Sequence, residues 1–423
     1  GPQTLNICKA LTNEKNIKSN EINLCKLIDP KNKKIIDPEA LLLWFPKPHS
    51  FTGDDLAELH IHGSNAVISY LLKVLSDQKN CRLAEPGEFT KIAFQNNKID
   101  LVKAESIGDL IHAETELQRE QAVNLVQGHA SKYYENLRQK LVKSLSYIEA
   151  KIDFAEDDLP GSVLKEVHTS IKQVYNEIKL ILEDHKIGEK IRDGFRISII
   201  GDVNAGKSSL LNLLAKREAA IVSEEEGTTR DVIETYLNID GYPVILADTA
   251  GIRKAKNKVE KEGIKRAINK AKEADLTLVM VDVSKRTINS DIKNLINRDC
   301  ILVFNKSDLT KKIHQNEFKK NDQILISVKN GKNIEGLIKI IKEKLSKKFT
   351  KTNNILVTRE RHRAKLNAAL QEIEKFLRKD QKIEIETAAE DLRLATRHLG
   401  SIIGKVDVEE ILGSIFQDFC IGK

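Results

Sequence analysis

The spacing of hydrophobic positions changes several times along the chain, and each spacing predicts a different kind of element. Residues 1–115 mix short apolar runs with polar turns. Leu41 to Phe45 predicts a buried strand, Pro46 to Asp55 predicts the turns that end it, and Leu56 to His62 alternates with a period of two, as in a further strand. This part of the chain is therefore predicted to be an α+β domain.

A helical spacing begins at about residue 103 and returns after about residue 349. Apolar residues recur there at intervals of three and four, which places them on one face of a helix. The predicted stripes are formed by Leu137, Leu141, Leu145, Ile148 and Ile152; by Val163, Val167, Ile171, Val174, Ile178 and Leu182; by Leu366, Leu370, Ile373 and Leu377; and by Leu392, Ala395 and Leu399. Asp157 to Gly161 is predicted to separate the first two helices.

Between these helical parts, apolar runs predict the buried strands of a doubly wound, mostly parallel sheet. The runs are Phe195 to Ile200, Pro243 to Ala247, Leu276 to Val281, Ile301 to Phe304 and Gln323 to Ile326. We predict four segments: 1–115, the α+β domain; 116–192, the first part of a helical domain; 193–352, an inserted α/β domain; and 353–423, the second part of the helical domain. The helices before and after the insert are expected to pack together.

A phosphate-binding loop follows the first of these strands. Gly201 to Ser208 has two glycines, a lysine and a hydroxyl residue at the spacing of such loops, and Ser209 to Ala215 predicts the helix after it. The glycines allow backbone N–H groups to converge on phosphates. Lys207 supplies a charge for the β- and γ-phosphates, and Ser208 supplies a ligand for Mg²⁺. The segment therefore predicts a nucleoside triphosphate site at a helix N-terminus.

Two candidate switch segments follow in the order that GTPases have. Gly227 to Asp231 stands where a switch loop belongs, and Thr229 is a candidate second Mg²⁺ ligand. Asp248-Thr249-Ala250-Gly251 follows a predicted strand. Asp248 can hold the metal through water, and the N–H of Gly251 can contact the γ-phosphate.

The base is predicted by Asn305-Lys306-Ser307-Asp308, which ends another strand. The Asp308 carboxylate can accept from the two N–H donors on the edge of guanine, whereas it would face a lone pair on adenine. Ser327-Val328-Lys329 is predicted to close the base pocket. With all five elements in order, residues 193–352 are predicted to be a Ras-like P-loop GTPase domain.

The group that orients the attacking water is not evident at the position where Ras-type enzymes carry a glutamine. Ile252 stands there, and its side chain forms no hydrogen bonds. Glu260 and Glu262 in the charged segment Lys254 to Lys265 are candidates, although both are also explained as exposed helix residues. The sequence also marks out no arginine that could supply a positive charge to the phosphates during hydrolysis. A monovalent cation or a second subunit is therefore expected to supply that charge.

Composition excludes some classes and leaves others open. The 423 residues suggest roughly three domains, and the sequence has neither an apolar run of membrane-spanning length nor a signal-peptide pattern. Five scattered cysteines favour a reducing, cytoplasmic location. The net charge of +7 is mild, so the basic clusters Lys31 to Lys34 and Lys342 to Lys351 fit either nucleic acid or solvated surface. His60 and His62 are interpreted as structural or substrate-facing.

Nearly the whole chain resembles the bacterial and organellar tRNA-modification GTPase family MnmE, also called TrmE. The most specific matches are Phe51 to Asp55 with Glu58, Pro86 to Phe89, the phosphate loop with Asn204, the segment Gly227 to Asp231, and the terminal Cys420-Ile421-Gly422-Lys423. The chain departs from the family at Ile92, where relatives often have an arginine. From the residues alone, Cys420 is open to interpretation as a nucleophile, a surface thiol or a packed residue.

The resemblance implies a full set of site residues. Its GTP contacts are Asn204, Ala205, Gly206, Lys207, Ser208, Ser209, Ser223, Glu224, Glu225, Glu226, Gly227, Thr228, Thr229, Asp248, Thr249, Ala250, Gly251, Asn305, Lys306, Ser307, Asp308, Ser327, Val328 and Lys329. It implies K⁺ at Asn204, Ser223, Glu225 and Thr228, and 5-formyltetrahydrofolate at Glu58, Lys98 and Lys423. Glu260 matches the residue that orients the water, and Cys420 matches a cysteine tied to the modification reaction.

The resemblance also implies partners and a reaction. The family acts as a homodimer with the FAD-containing protein MnmG, and adds an aminomethyl or carboxymethylaminomethyl group to C5 of the wobble uridine of certain tRNAs. The G domains dimerise when K⁺ is bound, and no membrane is involved. Two other hypotheses are a ribosome- or RNA-binding regulatory GTPase of the Era type and a folate-dependent transferase with an accessory GTPase. The segment Phe51 to Glu58 and the Cys420 terminus argue against the Era type, which has no need of either.

Overall fold

The computed structural model describes residues 1–153, 161–184, 186–202, 204–217, 220–221, 234–248, 272–284, 293–294, 296–309, 321–349, 356–380 and 384–406. These residues form two compact units. The first comprises 1–108, 126–138 and the described residues from 399 onward, and the second comprises the described residues of 109–125 and 139–398.

The first unit contains an antiparallel three-stranded sheet in the order β1-β2-β3. Its elements are α1 (Thr4–Thr12), β1 (Ile22–Ile28), β2 (Ile35–Phe45), β3 (Leu56–His60), α2 (Asn65–Ser76), α3 (Glu88–Gln95) and the start of α4 (Leu101–Ile111). Residues of α1 and α2, such as Leu11 and Leu71, form one core with Leu27 and Leu42 of the sheet. The predicted α+β character of this region is therefore confirmed.

The prediction that Leu41 to Phe45 is a buried strand is only partly correct. The segment is a strand, but Leu42 alone is buried, and the residues on either side of it are half-buried. On the opposite face of the sheet, Ile22 and Leu24 of β1 are 66% and 69% exposed. An apolar run shows that a strand has two apolar faces, but it does not show that both faces are covered.

Long helices in the second unit carry the stripes that the helical spacing predicts. The helices that reach into this unit are α5 (Glu116–Val126), α6 (His129–Asp153), α7 (Gly161–Leu182), α8 (Ile187–Asp193), α11 (Glu360–Arg378) and α12 (Ile385–Ile402). Val167, Ile171, Val174 and Ile178 are buried along α7. Helix α11 packs against α7, although about 180 residues separate them in the chain. The buried side of α11 is centred on Leu366, Ala369, Ile373 and Phe376, so the predicted Leu370 and Leu377 lie at its border.

A seven-stranded sheet forms the rest of the second unit, in the order β10-β9-β8-β4-β7-β6-β5. Its strands are β4 (Phe195–Gly201), β5 (Ala220–Ile221), β6 (Glu234–Ile239), β7 (Tyr242–Asp248), β8 (Leu276–Asp282), β9 (Cys300–Asn305) and β10 (Asp322–Leu325), with helices α9 (Lys207–Arg217) and α10 (Ile334–Phe349). The five strands from β10 to β7 are parallel, whereas β5 and β6 pair antiparallel. The predicted mostly parallel sheet is confirmed, and all five predicted runs lie in or at the end of strands.

A buried ion cluster joins α8 to α11. The guanidinium of Arg363 lies 2.9 Å from the Glu189 carboxylate and 2.7 Å from the Asp184 carboxylate, and it also donates to the Leu182 carbonyl. All three charged side chains are less than one-tenth exposed. Only Gly194 separates α8 from β4, so the cluster fixes the chain just before the central strand of the sheet.

We expect Arg363→Met to destabilise the second unit by about 3–5 kcal/mol, because Glu189 and Asp184 would remain buried without their cation. Urea or thermal unfolding followed by circular dichroism measures the change. Arg378→Met is the matched control, since Arg378 lies on the same helix with a side chain 76% exposed and should change stability by less than about 0.5 kcal/mol. Equal effects of both substitutions would show that the cluster has no special role.

Candidate functional site

The phosphate loop lies between the central strand β4 and the start of α9. Gly206 has a φ of +98°, a conformation that L side chains rarely adopt, and a Cβ at this position would lie 2.3 Å from Nδ2 of Asn305. A Cβ on Gly201 would lie 2.3 Å from the Met280 carbonyl oxygen. Both glycines are therefore required by close packing as well as by backbone conformation.

The side chains predicted to contact phosphates and metal lie at the N-terminus of α9. The ammonium of Lys207 donates to the carbonyl oxygens of Gly201 and Asp202 at 2.8 and 2.9 Å, so it lies within the curve of the loop. Ser208 and Ser209 lie in the first turn, and both are exposed. The N–H groups and the helix dipole at such an end favour a bound anion. The hydroxyl of Ser208 is suitably placed on the helix for a metal ion bound with phosphates.

Asn305 connects the phosphate loop to the base-closing segment Ser327-Val328-Lys329. Its side chain is buried, donates from Nδ2 to the Ala205 carbonyl at 2.8 Å, and accepts at Oδ1 from the N–H of Val328 at 3.0 Å. Ala205 belongs to the phosphate loop and Val328 to the predicted base-closing segment, which lie on different sides of β9. One amide thus sets the spacing between two loops that are more than a hundred residues apart.

Asp308 is exposed three residues after β9, where a ligand can reach its carboxylate. Oδ1 accepts from the Ser327 hydroxyl at 2.7 Å, and this hydrogen bond lowers the pKa of Asp308 below its ordinary value. The carboxylate is therefore ionised at neutral pH, as acceptance from two N–H donors of guanine requires. Ser327 also accepts from the Asn330 N–H, and Lys329 lies in the same turn.

The sequence interpretation missed one residue of this network. Asp282, at the end of β8, pairs with Lys306 at 2.6 Å and is 4% exposed. Burial raises the pKa of Asp282, but hydrogen bonds from Lys306 and Ser284 outweigh burial and lower it overall. The available signal was an acidic residue that closes an otherwise apolar buried strand, a position where an unpaired charge is costly.

Several predicted residues lie outside the part of the chain that the structure describes. These are Ser223, Glu224, Glu225, Glu226, Gly227, Thr228, Thr229, Thr249, Ala250, Gly251, Glu260, Cys420 and Lys423, together with the predicted break Asp157 to Pro160. Asp248 is described as the last residue of β7. The described residues Gly206, Lys207, Ser208, Asn305 and Asp308 supply the cradle, cation, hydroxyl and carboxylate that a guanine nucleotide with Mg²⁺ requires.

In the first unit, Glu58 and Lys98 lie on different elements. Glu58 is exposed on β3 beside His60, with 3.4 Å between Oε2 and Nε2. Lys98 follows α3, and its ammonium donates to the Pro48 carbonyl at 2.9 Å while its alkyl chain lies beside Gly53. Lys98 thus packs along the loop that leads from β2 to β3.

His62 is attached to a buried carboxylate. Both Asp37 oxygens lie within 3.1 Å of Nδ1 of His62, and Oδ2 also accepts from the His62 backbone N–H at 2.8 Å. The Asp37 side chain is fully buried, whereas the imidazole is 68% exposed. Burial raises the pKa of Asp37, but the hydrogen bonds from His62 and the Glu39 N–H outweigh burial and lower it. His62 therefore has a structural role as the connection between the end of β3 and β2.

Comparison with known families decides the classification. The family model described as the GTP-binding protein TrmE N-terminus matches residues 1–98, and that of the MnmE helical domain matches residues 101–420. The tRNA modification GTPase MnmE of Pelagibacter ubique is 55% identical over 423 residues, which cover 100% of this chain and 95% of the relative. The chain belongs to the MnmE family of tRNA modification GTPases. The predicted family and enzyme class are thereby confirmed.

Other relatives and solved structures are less similar. The MnmE protein of Rickettsia akari is 43% identical over 428 residues, which cover 100% of this chain and 95% of the relative. A crystal structure of a variant of Aquifex aeolicus Era bound to GDP.AlF4- has a TM-score of 0.29 at 25% identity and covers 44% of this chain and 68% of that chain. The FeoB G-domain of Methanococcus jannaschii has a TM-score of 0.27 at 22% identity and covers 36% and 98% of the two chains. Among the described helices, none is long and apolar enough to cross a membrane.

Asp308→Asn should change the preferred base from guanine to xanthine. The amide presents an NH₂ donor that matches the additional carbonyl of xanthine and loses one acceptor for guanine. We expect GDP affinity to fall about a hundredfold or more and XDP affinity to rise, as measured by competition with a fluorescent nucleotide. Asp322→Asn is the matched control, because Asp322 begins β10 and so lies at the end of that strand away from Ser327. It should leave both affinities unchanged. An unchanged preference for GDP in Asp308→Asn would refute the assignment of the base pocket.

Proposed function

We propose that this chain is the GTP-hydrolysing subunit of a complex that adds an aminomethyl or carboxymethylaminomethyl group to C5 of the wobble uridine of certain tRNAs. The observation that carries the proposal is the Asn305 amide, which joins the phosphate loop to the base-closing segment Ser327-Val328-Lys329 in a chain that belongs to the MnmE family. GTP hydrolysis then drives domain movement rather than the carbon transfer itself.

The proposed nucleotide site combines described residues with others predicted from sequence. Lys207 neutralises the β- and γ-phosphates, and Asp308 selects guanine through its ionised carboxylate. Ser208 and Thr229 would hold Mg²⁺, which when bound offsets charge that develops between the β- and γ-phosphates. Glu260 orients the attacking water, since Ile252 has no hydrogen-bonding group.

K⁺ is proposed to supply the charge that an arginine supplies in other GTPases. Asn204, Ser223, Glu225 and Thr228 would hold it. Asn204 is exposed on the phosphate loop and has a φ of +63°, so its side chain is open to a neighbouring cation or G domain. This placement supports a site that forms when two G domains of a homodimer meet across their nucleotide faces.

The one-carbon donor is proposed to be 5-formyltetrahydrofolate, bound by Glu58, Lys98 and Lys423. An exposed carboxylate on β3 can accept from N–H donors of the pterin, and an ammonium along the loop between β2 and β3 is opposite in charge to the glutamate carboxylates of such a ligand. Ile22 and Leu24 are exposed apolar residues on one face of the three-stranded sheet. They support the proposal that a second copy of the chain covers that face in a homodimer.

The remaining parts of the proposal concern architecture and partners. We propose that residues 193–352 are inserted into a helical domain, which the packing of α7 against α11 supports. The partner is proposed to be MnmG, which carries the FAD, and the complex acts on tRNA in the cytoplasm. The net charge of +7 is compatible with tRNA as a partner.

Loss of this protein should remove the modified wobble uridine from the tRNA pool of its cell. Mass analysis of wobble nucleosides tests this in a deletion strain complemented with the wild type, Cys420→Ser or Cys81→Ser. We expect the wild type and Cys81→Ser to restore the modified nucleoside and Cys420→Ser to restore none, with GTPase rates equal in all three. A deletion strain with unchanged wobble nucleosides would leave the Era-type switch and the folate-dependent transferase as the remaining hypotheses, and full rescue by Cys420→Ser would remove Cys420 from the reaction.

Glu260→Ala should lower the rate constant of GTP hydrolysis about 10²-fold or more while GTP affinity stays within a factor of two. The reason is that a water-orienting carboxylate acts on the transition state and contributes little to ground-state binding. Single-turnover hydrolysis and equilibrium binding measure the two quantities separately. Glu262→Ala, two residues away in the same charged segment, is the matched control and should hydrolyse GTP at the rate of the wild type. Equal rates for the two variants would exclude the proposed role.

A further inference from the structure

The carboxylate of Asp282 contacts the base loop, Asn305 to Asp308, through Lys306, and each of its oxygens accepts hydrogen bonds. Oδ2 accepts from the Lys306 ammonium at 2.6 Å, and Oδ1 accepts from the backbone N–H and hydroxyl of Ser284 at 3.0 and 2.6 Å. Asp282 is also the register partner of Asn305 across β8 and β9. The end of β8 is therefore bonded to Lys306, the residue after β9, through the Asp282 side chain, which is almost completely buried.

Lys306 has an unusual backbone conformation for a residue with a long side chain. Its φ is +68°, in the left-handed region that favours glycine. Its carbonyl accepts from the N–H of Leu309 at 2.9 Å, which closes the turn that contains Asp308. A left-handed lysine is strained and persists only where its surroundings hold it in place.

We propose that Asp282 is a positioning residue of the guanine pocket. Through its ion pair with Lys306, it holds the left-handed turn that presents Asp308 to the base. Asp282 itself does not touch the nucleotide. The proposal rests on the proposed binding of guanine nucleotides at this site, which the affinity of the wild-type protein for GDP tests separately.

Asp282 and Asn305 have different contacts and therefore different roles in the nucleotide site. Asn305 fixes the distance between the phosphate loop and the Val328 segment, and its hydrogen bonds do not involve Asp282. Ser327 fixes one oxygen of Asp308. Neither contact involves Lys306, which lies between Asn305 and Asp308. Its backbone is held on one side by the Ser307 N–H, which donates to the Ile326 carbonyl at 3.1 Å, and its side chain is held by the ion pair with Asp282.

Asp282→Asn is the first variant for the test. An amide has a single acceptor oxygen, so it cannot serve both Lys306 and Ser284. We expect GDP affinity to fall about tenfold with the ratio of GDP to XDP affinity unchanged, because the turn moves but the carboxylate of Asp308 remains. Ser284→Ala, which removes one hydrogen bond to Asp282 but retains the ion pair, is the matched control and should change GDP affinity less than twofold.

A double-mutant cycle decides whether Asp282 acts through Lys306. Lys306→Gly makes the left-handed conformation free of strain and removes the ion pair. In that background, Asp282→Asn should change GDP affinity less than twofold, compared with about tenfold in the wild-type background. Affinities come from fluorescent-nucleotide titration of the full chain, with unfolding midpoints recorded for every variant. If Asp282→Asn does not fold, Asp282→Glu takes its place in the cycle. Glutamate retains the negative charge but displaces the carboxylate.

Two results would overturn the proposal. Additive effects, with Asp282→Asn costing the same factor in both backgrounds, would show that Asp282 stabilises the sheet without acting on the turn. A changed ratio of GDP to XDP affinity in Asp282→Asn would show that the residue takes part in base recognition itself. If the wild-type protein binds no GDP at all, the proposed function fails before the cycle begins.

Discussion

The nucleotide site depends on one buried amide. Asn305 binds Ala205 with its donor and Val328 with its acceptor, so two loops that are distant in sequence share a fixed spacing. The amide fits only because Gly206 has no Cβ, which would otherwise lie 2.3 Å from Nδ2. Phosphate recognition and base recognition are thus parts of a single packed structure.

The sheet explains why these loops meet at all. Strands β4, β8 and β9 are adjacent and parallel, so Gly201, Asp282 and Asn305 lie at the same edge. Crevices at the carboxyl ends of parallel strands are the usual ligand sites of such sheets. At the opposite end of β4, the buried Arg363 cluster fixes α8 to α11. The central strand is therefore held at its beginning by the helices and carries the phosphate loop at its end.

Sequence spacing predicted the parts of the structure that depend on neighbouring residues. The phosphate loop from Gly201 and the Asp308 motif could be located because their chemistry requires fixed residue types at fixed intervals. The ion pair of Asp282 with Lys306 and the ion cluster of Arg363 could not, since their partners come together only in the folded sheet and helices. For the same reason, the apolar run from Leu41 did not reveal that one face of its sheet is open.

Two of the ten described residues other than glycine with a positive φ lie in the loops of the nucleotide site. Asn204 lies on the phosphate loop and Lys306 on the base loop, and each occupies a region of backbone conformation that costs roughly 1–3 kcal/mol for a residue other than glycine. Asparagine tolerates this conformation better than lysine, because its short side chain can form local hydrogen bonds. Lys306 therefore needs outside support, and a buried carboxylate 2.6 Å from its ammonium provides it. Part of the order of the base loop is accordingly established by the protein before any nucleotide binds.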